Sequence, residues 1–264
     1  YLKVDRDGLI TPVQLKAAIR PDTLLVSIMY ANNEIGTIEP ITELVHVVRQ
    51  WKKEHNRKEN DPPFFHTDAC QAAGYLDINV KNIGVDLLTV NGSKIYGPKG
   101  TGALYVRRGL RLKPLIYGGG QEFKLRSGTE NMAGIVGLAK ALEISQYVAA
   151  GLQPASGGSH ESEIQRVTRL RDKLMNGIME RIPKVVLNGH PTKRLPNNVN
   201  VSILDIEGEA MLLYLDEYGI CASAGSACDS QTLDPSHVIL ALGKSLEFAR
   251  ASVRFTLGRS TTKA

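Results

Sequence analysis

The chain is poor in cysteine. It carries three, an odd number, with no Cys-x-x-Cys pair. That excludes a disulfide framework, and it makes a reducing compartment, the cytoplasm or an organelle matrix, the expected setting. None of the six histidines stands at ligand spacing from a cysteine, so no metal site is expected. Long apolar runs are absent too: no stretch approaches the roughly 18 residues of a membrane span, so no membrane association is expected. Blocks of like charge are missing. Lys+Arg minus Asp+Glu is 32 − 27 = +5, scattered along the chain. No nucleic-acid partner is expected from that pattern, whereas an anionic small molecule suits it. There is no internal repeat and no low-complexity tract. An initiating methionine and a signal-like segment are also lacking, and no helical pattern follows Thr262. The chain therefore reads as a piece of something longer, shortened at both ends. What remains is ordinary globular material: 264 residues, 42% hydrophobic and 22% charged, enough to bury a core in one large domain or two smaller ones.

Within residues 1–150, strand and helix signals alternate. Leu24 to Met29 is a continuous apolar run of the kind that forms a buried parallel strand. Ile41, Leu44, Val45, Val48 and Trp51 recur at helical spacing behind Pro40. Phe64 to His66, Val85 to Val90 and Gly102 to Val106 are further strand candidates, and Met132 to Ala149 is a long Ala/Leu/Ile helix. This alternation predicts βαβ units, a mostly parallel sheet and an α/β fold. Gly151 to Ser162, rich in Gly, Ser and Pro, is the candidate linker. Residues 151–264 then read as a smaller α+β domain: a helical stripe from Ile164 to Ile178, strands at Lys184–Leu187, Val199–Leu204 and Ser252–Leu257, and a helix at Glu209–Tyr218 closed by Gly219.

Chemistry-bearing residues cluster just past the apolar strands, where α/β proteins place ligand contacts. Lys94 enters a Gly/Pro-rich turn; it is a Schiff-base lysine or a solvated loop lysine. Asp68 is the partner of a pyridine nitrogen or the cap of a helix starting near Ala69. Cys228, in the small, polar segment from Ser223 to Ser230, is an accessible nucleophile or an incidental surface thiol. Cys70 and Cys221 are expected in the core. Arg254, inside an apolar strand, needs an anionic partner: a substrate carboxylate or a structural ion pair. Asn32-Asn33-Glu34 follows the first strand, as a ligand contact or as turn chemistry. Gly118-Gly119-Gly120 and Arg126-Ser127-Gly128-Thr129 offer donors for a phosphate.

Singly these signals are weak, but their order is specific. Ala31-Asn32-Asn33-Glu34-Ile35-Gly36, His66-Thr67-Asp68-Ala69-Cys70-Gln71, Ser93-Lys94-Ile95-Tyr96-Gly97-Pro98-Lys99-Gly100, Gly118-Gly119-Gly120-Gln121-Glu122, Arg126-Ser127-Gly128-Thr129, Ser226-Ala227-Cys228 and Val253-Arg254-Phe255-Thr256-Leu257-Gly258-Arg259 span nearly the whole chain. In that order they resemble the cysteine desulfurases of the NifS/IscS type, pyridoxal phosphate (PLP) enzymes of the aminotransferase class V group.

The resemblance implies the PLP-dependent transferase fold type I, a large α/β domain followed by a smaller α+β one. It implies roles as well. Lys94 forms the Schiff base with PLP, Asp68 pairs with the pyridinium nitrogen and Gln71 bonds the ring oxygen. Asn33 contacts cofactor and substrate. Thr129 reaches the phosphate of a neighbouring subunit's PLP, which implies a homodimer. Arg254 binds the carboxylate of L-cysteine, and Cys228 attacks its sulfur, keeping a persulfide for a sulfur-acceptor protein and releasing L-alanine. Iron–sulfur cluster assembly is among the pathways such an enzyme serves. The family's Ser-x-His-Lys pattern is replaced here by Asn91-Gly92-Ser93-Lys94, so Asn91 and Ser93 stand where the family binds phosphate. The family's N-terminal section and C-terminal helix have no counterpart. Two alternatives are a selenocysteine lyase, whose site is nearly the same, and a non-catalytic scaffold or partner subunit.

Overall fold

A computed structural model of the chain describes residues 1–149, 151, 161–225 and 234–263. Helix α1 (Pro12–Ala18) precedes strand β1 (Leu25–Met29) and helix α2 (Ile41–Glu54). Then come β2 (Phe64–Asp68), α3 (Val80–Ile83), β3 (Leu87–Asn91), β4 (Gly102–Val106) and α4 (Met132–Ala149). The remainder holds α5 (Glu163–Arg181), β5 (Val185–Leu187), β6 (Asn198–Ile203), α6 (Gly208–Glu217), α7 (His237–Ala241), α8 (Leu246–Arg250) and β7 (Ser252–Thr256).

Two compact units result, and they do not follow a single cut near residue 150. One consists of Ile19–Met29 and Ile41–Ala150; the other joins Tyr1–Ala18 and Tyr30–Pro40 to Gly151–Ala264.

In the first unit the strand order is β1-β2-β3-β4. β1, β2 and β3 are parallel, as their apolar runs predict, while β4 pairs antiparallel with β3. The reason is length: a parallel return needs a crossover of about a dozen residues or more, and only residues 92–101 separate β3 from β4. Ile41, Leu44, Val45, Val48 and Trp51 of α2 are all buried, and α2 packs against β2, where Phe65 is buried. Beneath it lies a charged knot. Asp86, fully buried, accepts from Arg49 at 2.7 and 3.1 Å, from Arg107 Nε at 2.6 Å and from the Phe65 amide at 2.8 Å. Burial alone would raise the Asp86 pKa, but the bonds from Arg49, Phe65 and Arg107 outweigh it and hold it below the usual value.

In the second unit β5, β6 and β7 form an antiparallel sheet, bordered by helices in an α+β arrangement. A capping box fixes the start of α5: the Ser162 side chain accepts from the Gln165 amide, and the Gln165 side chain returns to the Ser162 amide. All six residues of β6 are buried, although the strand alternates Asn198, Asn200, Ser202 with Val199, Val201, Ile203. The apolar set makes the core with Met211 and Val253. The polar set is satisfied by neighbours: Asn188 bonds Asn200 and Ser202, and Ser202 donates to the Phe248 carbonyl.

That polar face explains why residues 30–40 leave the first unit. Ile38 N donates to Lys193 O, and Leu195 N to Gly36 O, both within 2.9 Å. The buried Arg194 guanidinium reaches Ile35 O at 2.9 Å. Burial, with the Arg171 charge, brings the Arg194 pKa down to about 10.

Candidate active site

The ligand-facing residues fall into two groups, one in each unit. In the first, β2 buries Phe65 and Thr67 and leaves Phe64, His66 and Asp68 half-buried on the opposite face. The His66 ring lies between two hydroxyls, with Nδ1 2.8 Å from Ser27 Oγ on β1 and Nε2 2.9 Å from Thr89 Oγ1 on β3. Burial pulls the His66 pKa down, and the Asp68 charge opposes that. Both ring nitrogens are thus engaged, and the three strands are cross-linked at their middles.

Asp68 closes β2, and its Oδ1 accepts from the Cys70 amide at 2.9 Å. The residues after it form hydrogen-bonded turns rather than a helix, so the capping reading survives only as this local bond. Lys94 is exposed at the end of a short 3-10 turn, Gly92–Lys94, that follows β3. Asn91 initiates that turn, its Oδ1 accepting from Ser93 N at 2.8 Å and Ser93 Oγ at 2.6 Å. Gly92 is required there: a Cβ would come within 2.5 Å of Thr101 Oγ1 and 2.7 Å of Pro98 O. Ile95, 2% exposed, plugs the turn into the core.

Cys70 reports how these groups act together. Burial pushes its thiol up to about 12; a hydrogen bond and charge from Asp68 push the same way, and the Lys94 charge opposes them. Asp68 closes β2, and Lys94 follows the neighbouring, paired strand β3. Cys70 is half-buried, near its expected core position, but Cys221 is exposed. That corrects the core expectation for Cys221. After α6 the chain turns through Gly219 at φ +71° and runs along the surface with Tyr218 and Ile220. Gln71 is half-buried and Thr129 exposed. The loop before Thr129 is folded on itself, with Ser127 Oγ donating to Ile116 O and Gly128 N to Gln121 Oε1. Glu122, Phe123 and Lys124 all take left-handed φ within it.

In the second unit Asn33 and Arg254 meet. Arg254 Nη1 donates to Asn33 O at 2.7 Å, and its Nε and Nη2 reach Ser223 Oγ at 3.1 and 2.8 Å. Ser223 and Arg254 also exchange backbone bonds, 3.0 and 2.7 Å long. These partners, a backbone carbonyl and a hydroxyl, are neutral. Ser223 escaped sequence reasoning, since nothing local marks a partner 31 positions away. The Ser27–His66–Thr89 chain was legible in principle, as one polar residue placed mid-strand on the same face of three apolar strands. Cys228 lies outside the described residues.

The turn carrying Asn33 is fixed from several sides. Asn32 Oδ1 accepts from the amides of Glu34 and Ile35 at 2.8 and 3.0 Å. The Glu34 carbonyl accepts from Asn198 and Asn200. The Glu34 side chain is 1% exposed, and its Oε2 accepts from Ser236 Oγ at 2.6 Å.

A family model described as aminotransferase class-V matches residues 1–264, the full length. The chain belongs to the aminotransferase class-V family. Among curated members of this family, it is 48% identical over 263 residues to a protein of Dictyoglomus turgidum named cysteine desulfurase IscS, covering 100% of this chain and 61% of that one. The chain thus spans about three fifths of the length of that relative. Of solved structures, a "NifS-like protein" superposes with TM-score 0.83 at 33% identity, over 100% of this chain and 63% of the other. Another, titled "SspA in complex with cysteine", gives 0.74 at 35% identity over 97% and 65%. The class-V chain thus has the fold-type-I α/β architecture of NifS-like enzymes, as its motif order implies. Class-V cysteine desulfurases are PLP-dependent as a family.

Proposed function

We propose that this chain is the larger part of a PLP-dependent cysteine desulfurase that converts L-cysteine to L-alanine and retains the sulfur on Cys228. The observation that carries the proposal is the placement of Asp68 at the carboxyl end of β2 and of Lys94 in the turn that follows β3, the strand paired beside it. An anion to keep a ring nitrogen protonated and an exposed amine to hold a carbonyl carbon are what a PLP site requires, and these residues fit it. Asn91, Gln71 and, from a second copy, Thr129 would complete the hold on ring and phosphate. Ser93 would contribute mainly by fixing Asn91, since its hydroxyl is bonded to Asn91 Oδ1.

PLP, when bound, supplies a sink for the electron pair released at the substrate Cα. The chain's own groups do the rest. Arg254 pairs its guanidinium with the substrate carboxylate while Asn33 lines the same position. The Lys94 amine takes the Cα proton and returns a proton. The Cys228 thiolate attacks the substrate sulfur: an S–S bond forms, the Cβ–S bond breaks, and the electron pair left on carbon is protonated to give alanine. A sulfur-acceptor protein then takes the terminal sulfur. Support for L-cysteine as substrate comes from the cysteine complex of SspA and the IscS name of the Dictyoglomus turgidum relative.

A homodimer is part of this reading. Leu115, Tyr117, Phe123, Met132 and Val136 are exposed, with Leu115 at 95% and Phe123 at 93%, an apolar surface that suits a second copy.

The test is absorption. The chain mixed with PLP is expected to show the band of a lysine Schiff base and to release alanine and sulfide from cysteine. A colourless protein that releases neither would point instead to a scaffold subunit and overturn the proposal.

A further inference from the structure

Arg254 is bracketed along both edges of β7. Its register partner in the sheet is Asn200 of β6, whose side chain donates to the Glu34 carbonyl at 3.2 Å. On the far edge Ser223 forms an antiparallel bridge with it. The Ser223 amide donates to Arg254 O at 3.0 Å, and the Arg254 amide to Ser223 O at 2.7 Å. Beside Ser223, Ala222 packs on the core of Val199, Val201 and Val253, so the backbone at 223 is tied both to β7 and to the interior. The side chain is tied as closely. Ser223 Oγ accepts from Arg254 Nε at 3.1 Å and from Nη2 at 2.8 Å. Nη1 donates to Asn33 O at 2.7 Å, in the turn that Asn200 holds. Asn33, Asn200, Ser223 and Arg254 all belong to one compact unit.

We propose that Ser223 is a positioning residue for carboxylate capture: it fills the Nε/Nη2 edge of Arg254 and fixes the plane of the guanidinium. An arginine can grip a carboxylate at that edge with two parallel N–H bonds. The grip is closed to a ligand while the Ser223 hydroxyl holds both of its protons, so a carboxylate meets Arg254 in one orientation rather than two. The hydroxyl also changes what the edge offers. Its oxygen already accepts from two N–H groups, so in any further bond it acts as the donor. A two-proton fork is thereby exchanged for a single O–H carried on a fixed backbone bridge. Alanine at 223 would release the guanidinium plane and open the side-on edge, whereas threonine would keep the hydroxyl. The carboxylate ligand rests on the desulfurase reading, but the geometry of Ser223 and Arg254 does not.

The experiment uses the full chain with PLP and the variants Ser223→Ala and Ser223→Thr. Three quantities are measured: KM and kcat for L-cysteine, the affinity for L-alanine by calorimetry, and the rate at which the Arg254 Nε proton exchanges with water. The last is followed by nuclear magnetic resonance, the signal being assigned through its loss in Arg254→Lys. In Ser223→Ala the KM is expected to rise and the L-alanine affinity to fall, each about tenfold, the scale of a lost hydrogen bond to a charged group, with kcat little changed. Exchange at Nε is expected to quicken severalfold in the same variant. Ser223→Thr is expected to recover most of all three. Should Ser223→Ala fold poorly, Ser223→Gly takes its place. Wild-type KM, alanine affinity and exchange in the variant without the hydroxyl would overturn the inference, and so would a threonine variant no better than it. A wild-type chain that never releases sulfide overturns the desulfurase reading instead, and leaves the exchange comparison to judge Ser223.

Discussion

The two groups of candidate residues, one in each unit, are built on opposite plans. Lys94 stands exposed on a three-residue turn, steered by what lies beneath it: Gly92 with no room for a side chain, Asn91 capping, Ile95 buried. Arg254 is half-buried and bonded at Nε, Nη1 and Nη2 to Ser223 and Asn33. The difference follows from the tasks proposed for them. An amine that must hold a carbonyl carbon and also carry a proton has to move, so only its base is fixed. A guanidinium that must read a carboxylate has to present a planar fork in one orientation, so the fork itself is fixed.

Four measurements would break or sharpen that contrast. Replacing Lys94 with Ala should have the largest effect: loss of the Schiff-base band and a fall in alanine release of roughly a thousandfold, within the range of a lost general acid–base. A retained band would end the idea that mobility at residue 94 serves the cofactor. Asp86→Asn comes next. It strips the charge that Arg49 and Arg107 share in a fully buried position, and urea unfolding should show a loss of about 3 kcal/mol. Because the Asp86 pKa is held low in the fold, its contribution is complete above the unfolded carboxylate range and disappears as pH falls through its folded pKa. The variant should therefore lose less stability than wild type on acidification.

Arg254→Lys is expected to act more narrowly. A lysine keeps the charge but not the fork, so the KM for cysteine should rise about tenfold with the cofactor band unchanged. An equal fall in kcat with constant KM would mean that the fixed fork serves something other than carboxylate capture. The smallest effect is expected at Glu39, whose carboxyl burial pushes up to about 7, opposed by its bond from Ile10 N and assisted by the Asp5 charge. A raised carboxyl pKa means the folded state gains protons: the cost of ionising it is absent below about 4.5, the unfolded value, and complete above about 7. Glu39→Gln should leave the unfolding free energy near wild type at acid pH and raise it by about 1 kcal/mol at pH 8, measured by urea unfolding at both pH values.

Much of this was legible from the residues. Apolar runs give β1, β2 and β3, and the Ala/Leu/Ile pattern marks α4 from Met132 to Ala149, its observed span. The motif order gives Lys94, Asp68, Asn33 and Arg254 their expected roles. The direction of β4 was not legible, because strand direction depends on whether ten intervening residues turn back or cross over. Nor was the membership of residues 30–40: their partners, Lys193, Arg194 and Leu195, lie more than 150 positions away, and no local pattern encodes so distant a bond. Cys221 misled because apolar Ile220 precedes it, whereas Gly219 had already turned the chain to the surface.

The excursion of residues 30–40 also constrains how the polypeptide acquires its shape. Arg194 meets Ile35 across 159 positions, and Arg254 meets Asn33 across 221. Bonds of that span close late, since the entropy of bringing distant segments together must be met before any contact rewards it. The stretch leaving β1 therefore waits, during synthesis, for residues made near the other end. A fragment ending near residue 150 would keep its parallel strands yet lack the bond from Arg254 to Asn33, and separately expressed halves should recover that bond only when mixed.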